Sequence, residues 1–367
     1  MKAVAITHSG LEDISSLEIN ELIGAKCEAG PGCVLFEVKN HEEIAHVCYK
    51  AQSVSKVLLL FEEFKINSIE DMQEKINSNI GDIRKIITPS KTFAVRSFIA
   101  DNDDYEKEDI CIEAADSLKL DSKVDLKNPD VVFSVYISKD NCYIGIDFSG
   151  EDLSKRDYRI YTHYEALKAT RAYVLLRAAG FKNSDFVLDP FCGSGTILIE
   201  AAIFGSGFSQ NYYTKDKFAF LKFLDINLEK FDKSKKFEGK LVGYDIDLRY
   251  IMGAKKNAKI AGVEKFIDFS KVAIEWIDIK LEEKSVDKII TNPPDMTHKN
   301  EKTVGKVYDE LFKQAKFVLK EDGCVGIIIK SDDIIKDYAK SHGFKPSNEK
   351  DLIIGKDDYK IIVFIRS

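Results

Sequence analysis

The segment DPFCGSGTILIEAA, Asp189 to Ala202, constrains this chain more than any other. It follows the apolar run FVL and passes without a break into an apolar stretch of helical character. An acidic residue closing a strand, two glycines that let backbone approach a ligand, and a helix N-terminus together form a nucleotide-type cofactor site in an α/β sheet. Ile197 and Leu198 stand where the dinucleotide fingerprint GxGxxG has its third glycine, and the lysine of a phosphate-binding loop is missing.

The flanking chain repeats the same punctuation. After Tyr161 the apolar runs DFVLDPF, LVGYDI, FIDFSKV, SVDKIITNPP and CVGIIIK alternate with helical stretches, as buried parallel strands do. DLIIG and YKIIVFIR, split only by KDD, predict an antiparallel hairpin at the sheet edge. The expected fold class is α/β, with a doubly wound Rossmann-like sheet over residues 158–367.

The first half reads differently. AVAIT predicts a strand, Leu11 to Ile23 a helix, EAGPG a break, CVLFEV a strand, HEEIAHVCYKA a helix and VSKVLLLFEEF a strand. That order suggests an α+β ferredoxin-like module over residues 1–68. A second module, 69–157, is expected to hold a helix around Asp71 to Ile80, a strand at Thr92 to Phe98, and a helix ending at Leu118. A hairpin about the turn SKDN follows, and Gly150 with EDLSKRD marks the boundary.

A length of 367 residues suits two or three such domains, and 44% hydrophobic with 31% charged residues excludes disordered and fibrous classes. The start MKAVAITHSG has no basic and apolar leader pattern, and the longest apolar runs, such as VLLLF, are too short to span a bilayer. The expectation is a cytoplasmic protein without membrane segments. Seven cysteines without a CxxC pair predict free thiols in a reducing compartment and no structural metal. Net charge is −7, against bulk coating of nucleic acid, but its distribution is uneven. Residues 1–165 carry 19 Lys and Arg against 31 Asp and Glu, and the remainder 35 against 30. A polyanion contact must be local or lie in the second half.

Two further strand ends carry chemistry. In GYDID, Asp245 closes the second strand of the α/β domain, where a carboxylate accepts from both ribose hydroxyls, while Asp247 suits a helix N-cap. In TNPPD, two prolines fix the backbone and remove two N–H donors, leaving carbonyls and the Asn292 amide to aim acceptors at one point. An exocyclic amine needs that arrangement. Its lone pair is delocalised into the ring, and acceptors on both hydrogens favour sp³ character as a methyl group approaches.

In this order and on these strands, DPFCGSGTILIEAA, GYDID and TNPP resemble the S-adenosylmethionine-dependent amino-methyltransferases. THSGLEDISSLEINELIGA, KVDLKNPDVVFSVYI, CYIGIDFSGEDLSKRDYRIY and THYEALKAT are similar to the N-terminal module, THUMP domain and connector of the THUMP-containing RNA guanine-N2 methyltransferases. FAFLKFLDIN, Phe218 to Asn227, looks more like the subgroup acting on guanine 6 of the tRNA acceptor stem, and related bacterial rRNA enzymes, than the guanine-10 subgroup.

The resemblance implies that the N-terminal modules dock tRNA near its CCA end and that a guanine is flipped out for methylation on N2. It implies that Asp189, Cys192, Gly193, Ser194 and Gly195 line the methionine end of S-adenosylmethionine. Asp245 would take the ribose, Ile246 would pack on the adenine, and Asn292, Pro293 and Pro294 would orient the guanine amine. No metal is implied, and a monomer is favoured. Two positions depart from the pattern. Asp295 stands where the family has an aromatic residue, whose stacking contributes about 1 to 3 kcal/mol per base; an aspartate would instead accept from guanine N1–H or N2–H. Ala273 stands where the family has an acidic residue, and Glu275 and Asp278 lie at least two residues beyond it.

These departures keep open an RNA-binding THUMP protein that has lost transfer, beside methylation of rRNA, guanine 10 or an adenine N6. Cys192 has no base near it in sequence and is not expected to act as a nucleophile. His163 and His298 read as solvated loop residues. Tyr212, Tyr213, Lys215 and Lys217 read equally as an RNA grip or as ordinary surface.

Overall fold

The computed structural model describes residues 1–162, 166–297, 299–330, 333–354 and 357–367, so His163 and His298 lie outside the described residues. Two compact units result: Met1–Ser154 with Asn211–Phe231, and Lys155–Gln210 with Asp232–Ser367.

In the first unit, β1 (Lys2–Ile6), α1 (Glu12–Ile23), β2 (Cys27–Gly30), β3 (Cys33–Glu37), α2 (His41–Lys50) and β4 (Lys56–Lys65) follow one another. β3 pairs antiparallel with β1 and β2, and β4 with β1, which is the split βαβ arrangement. β2 corrects the expectation of a simple break at EAGPG. The turn Pro31-Gly32, with Gly32 at φ 66°, folds this short, half-exposed segment onto β3 as an edge strand.

α3 (Ile69–Ile86), β5 (Phe93–Ala100), α4 (Lys107–Leu118), β6 (Val131–Ser138) and β7 (Asn141–Asp147) complete the unit. β6 lies parallel to β5 and antiparallel to β7, and β7 pairs with β4. Both modules therefore share one seven-stranded sheet, β2-β3-β1-β4-β7-β6-β5.

Residues 211–231 were expected inside a contiguous C-terminal domain, but they pack into this first unit. Phe218, Phe220, Ile226 and Leu228 enter its core. The Asn211 amide donates to the Tyr49 carbonyl at 3.1 Å, and Lys222 Nζ to the Pro129 carbonyl at 2.9 Å. The reason is apolar surface: Phe220 and Phe223 find cover against the Phe148 ring, and Phe218 against Tyr49.

The second unit contains α5 (Ala169–Ala178), β8 (Phe186–Asp189), α6 (Thr196–Ser206), β9 (Lys240–Asp245), α7 (Leu248–Ile260), β10 (Ile267–Lys271), α8 (Ile277–Lys280) and β11 (Val286–Thr291). It closes with α9 (Glu301–Val318), β12 (Leu319–Ile329), α10 (Asp333–Ser341), β13 (Phe344–Ile354) and β14 (Asp357–Arg366). The sheet order is β10-β9-β8-β11-β12-β14-β13. The strands from β8 to β12 are mutually parallel, and β14 is antiparallel to β12 and β13. The expected closing hairpin is present, with β14 inserted beside β12 so that β13 takes the edge. Between β8 and β11 the strand order reverses, and ligands bind outside the carboxyl ends of strands at such a switch point.

Candidate active site

A cavity of about 670 Å³ opens at that switch point. Asp189, Cys192, Gly193, Ser194, Asp245, Ile246, Asn292, Pro293, Pro294 and Asp295 all line it. Three parallel strands bring them together: β8 ends at Asp189, β9 at Asp245 and β11 just before Asn292.

The loop after β8 is tied to β9. Cys192 N donates to the Tyr244 carbonyl at 2.9 Å, and Gly193 N to Asp245 Oδ2 at 3.0 Å. Gly193 and Gly195 adopt φ of 48° and 81°, which glycine enters without a Cβ penalty. Gly195 is not itself in the lining. It caps α6, and a Cβ there would stand 2.8 Å from Phe269 Cζ. It shapes the turn that presents Gly193 and Ser194.

Asp189 is 1% exposed, and burial raises its carboxyl to about 7. The Thr291 hydroxyl, donating at 2.6 Å, and the Phe191 amide at 3.2 Å pull the other way. Asp245 accepts from Gly193 N through one oxygen and from Asp247 N at 2.8 Å through the other. Each carboxylate oxygen keeps a further lone pair for a hydroxyl. Asp247 caps α7 by accepting from Arg249 N at 2.8 Å, which leaves Asp245 for the cavity. Ile246 is 70% exposed at the rim, a flat apolar face. Burial and the neighbouring Asp189 and Asp245 charges push the Cys192 thiol well up, so it stays protonated and inert.

The turn after β11 carries the acceptors. Among the described residues the Asn292 side chain and the Pro293 carbonyl have no hydrogen-bond partner within the protein. The Pro294 carbonyl does not share that freedom. Tyr308, on α9, donates its hydroxyl to it at 2.7 Å. Among the described residues, Asn292 and Pro293 are the acceptors without a partner in the protein, and the Pro294 carbonyl, with one lone pair taken by Tyr308, also anchors the turn. Asp295 Oδ1 accepts from Lys330 N at 3.4 Å, and its carbonyl from Asn300 Nδ2 at 3.0 Å. Ala273 and Glu275 line the cavity on the β10 side, while Asp278 does not.

Sequence reasoning assigned no role to Thr291, Tyr308 or Asn257. Buried Asn257, on α7, donates to the Ser194 and Tyr161 carbonyls at 3.1 and 2.8 Å and accepts from Tyr161 N at 3.0 Å. A lone amide among the apolar positions of that helix was the available signal. The glutamate of the ILIEAA run, Glu200, is also buried. It accepts from Arg156 Nε and Nη2 at 3.0 and 3.1 Å and from the Tyr158 hydroxyl at 2.7 Å, locking the connector to α6.

An acidic, glycine-cradled pocket suits a ligand with hydroxyls and a cationic centre, and the adjoining acceptors suit an amine. Comparison with known proteins agrees. The family model described as RMKL-like, methyltransferase domain, matches residues 156–360, and that of the THUMP domain matches residues 67–147. The tRNA (guanine(6)-N2)-methyltransferase of Methanocaldococcus jannaschii is 32% identical, with 94% of this chain and 95% of that protein covered. The protein of the same name from Archaeoglobus fulgidus is 27% identical, with 97% and 90% covered. The solved methyltransferase SMU.472, complexed with SAH, has the same fold, with a TM-score of 0.81 at 21% identity over 100% of this chain and 98% of that one. The chain belongs to the THUMP-containing, S-adenosylmethionine-dependent methyltransferase family.

Proposed function

We propose that this chain methylates the exocyclic N2 of a guanine in tRNA, guanine 6 of the acceptor stem, using S-adenosylmethionine. The observation that carries the reading is that one cavity joins a cofactor-type acidic pocket, Asp189 and Asp245, to an amine-type acceptor pair, Asn292 and Pro293. The relatives named for guanine-6 chemistry, similar over nearly their whole length, support the substrate.

S-adenosylmethionine, when bound, supplies a methyl group on a positively charged sulfur. Asp245 accepts its ribose hydroxyls, and Ile246 covers its adenine. Asp189, in its ionised form, faces the methionine end together with Cys192, Gly193 and Ser194. Asn292 and Pro293 accept the two amine hydrogens of guanine and draw the nitrogen lone pair out of the ring. Asp295 accepts from N1–H. No general base is needed: positioning and preorganised acceptors lower the barrier, and the proton leaves to water.

In this reading residues 1–68 and 69–157 dock the RNA, and 158–367 carry the chemistry apart from 211–231. The setting is cytoplasmic and reducing, in keeping with seven free thiols, and the enzyme works as a monomer without metal.

Purified protein, labelled S-adenosylmethionine and unmodified tRNA transcripts test it. N2-methylguanosine is expected, and replacing guanine 6 by adenine abolishes incorporation. Another methylated nucleoside overturns the substrate. No incorporation beside intact cofactor and tRNA binding overturns the activity and favours a non-catalytic THUMP protein.

A further inference from the structure

The cavity wall beyond the Asn292–Asp295 turn is basic and aromatic. Arg171 comes from the first turn of α5, Lys330 from the end of β12 and Tyr359 from β14. Arg171 is 9% exposed, with its guanidinium carbon 4.9 Å from the centre of the Tyr359 ring, and Lys330 Nζ lies 5.3 Å from the same ring. A buried cation in the first turn of a helix is opposed both by the helix dipole and by desolvation. The ring face offsets part of that cost and fixes where the guanidinium points.

The sheet sets the spacing. β12 lies between β11 and β14, with Thr291 beside Ile327 and Ile329 beside Lys360. The acceptor turn and the Tyr359 wall are therefore two strand spacings apart, about 10 Å. A guanine whose N2 sits on Asn292 and Pro293 turns O6 and N7 toward the opposite wall. A guanidinium is the donor fork that matches that pair of acceptors. Adenine would bring an amine to the same place, donor against donor.

We propose that Arg171, held on Tyr359, reads O6 and N7 of the flipped guanine while Asn292 and Pro293 hold its amine, and that this wall excludes adenine. The inference rests on the guanine-N2 reading above and adds the residue that selects the base.

The test uses the full chain and acceptor-stem RNA carrying guanine, 7-deazaguanine or 6-thioguanine at the target. The wild type is expected to lose about ten- to hundredfold in kcat/KM on each analogue. Arg171→Gln is expected to lose a similar factor on guanine and to discriminate less than about threefold between guanine and the analogues. Tyr359→Leu, which leaves the buried charge in place, should weaken the same discrimination if Arg171→Gln fails to fold. An unchanged analogue penalty in both variants overturns the assignment. So does a raised cofactor KM with discrimination intact, which would put Arg171 on the cofactor's carboxylate. Equal methylation of all three RNAs by the wild type defeats the Arg171 assignment alone, whereas no N2-methylguanosine from any RNA defeats the guanine-N2 reading itself.

Discussion

The Thr291 hydroxyl donates a 2.6 Å hydrogen bond to Asp189 Oδ1, joining the carboxyl ends of β11 and β8. One side of this bond belongs to the cofactor pocket and the other opens the acceptor turn, so the two halves of the site share a fixed spacing. It also bears on the charge of Asp189. Burial raises that carboxyl to about 7, and the bond opposes the rise.

A pH dependence of cofactor binding follows. Near neutrality Asp189 is divided between its two protonation states, and a cationic ligand selects the ionised one. Affinity for S-adenosylmethionine should therefore increase about fivefold or more between pH 6 and pH 8. Titration calorimetry checks this, with Asp189→Asn binding more weakly and without the pH trend. Thr291→Val removes an interaction that lowers the pKa and should move the midpoint upward. For stability the sign is reversed. The folded state holds a proton on Asp189 that the unfolded chain releases near pH 4, so this group's contribution declines as pH rises from about 4 to about 7. A cofactor affinity independent of pH would separate Asp189 from the cationic end.

Tyr308→Phe tests the anchor of the acceptor turn. Loss of the hydroxyl leaves the Pro294 carbonyl without its donor and frees the turn that aims Asn292 and Pro293. Stability should drop by about 1 kcal/mol, and kcat by about ten- to hundredfold, because small misplacements of reacting groups are costly. The KM for S-adenosylmethionine should stay unchanged, since Tyr308 does not line the cavity. A normal kcat would mean that the prolines and the Asp295 contacts hold the turn without Tyr308.

The buried Arg156–Glu200 pair makes a stability prediction. Both side chains are almost fully enclosed, at 1% and 0% exposure. Arg156→Met takes the guanidinium away from the buried Glu200 carboxylate, which keeps its Tyr158 hydroxyl bond, and should cost about 3 to 5 kcal/mol, whereas Arg156→Met with Glu200→Met should recover most of it. Denaturant unfolding measures both. A single-variant cost near that of a surface pair, below about 1 kcal/mol, would contradict the enclosure.

What was legible in the chain follows from how far each contact reaches. Asp189, Gly193, Asp245 and Asn292 sit at strand ends marked by short local patterns, and parallel strands bring those ends to one edge. Gly195 was legible as a required glycine but not as one pressed against Phe269, which arrives from β10. Tyr308, which anchors the Pro294 carbonyl, lies a full loop away on α9, so nothing beside TNPP marked it. Arg171 and Tyr359 carry no motif, and they meet only because α5 packs against β14. The short β2 lacks a buried alternating face, and the segment 211–231 finds its apolar cover in the first unit, so no local pattern marked either.

Asp295 decides whether the departure from an aromatic is a loss or a substitution. Lys330 N, just past the neighbouring strand, donates to its Oδ1 at 3.4 Å and orients the carboxylate, while Asn300 Nδ2 holds its backbone carbonyl and so the turn that carries it. A steered acceptor beside an amine site suits guanine N1–H. Asp295→Ala and Asp295→Tyr should both lower kcat/KM on tRNA about tenfold or more, since a hydrogen bond to a charged group contributes about 1.5 to 3 kcal/mol. Asp295→Asn, which keeps an acceptor but no charge, should fall between them and the wild type. Cofactor affinity should be unaffected in all three. A gain of activity in Asp295→Tyr would instead mean that the site lacks its stacking face, and the RNA-binding, non-catalytic alternative would then take precedence.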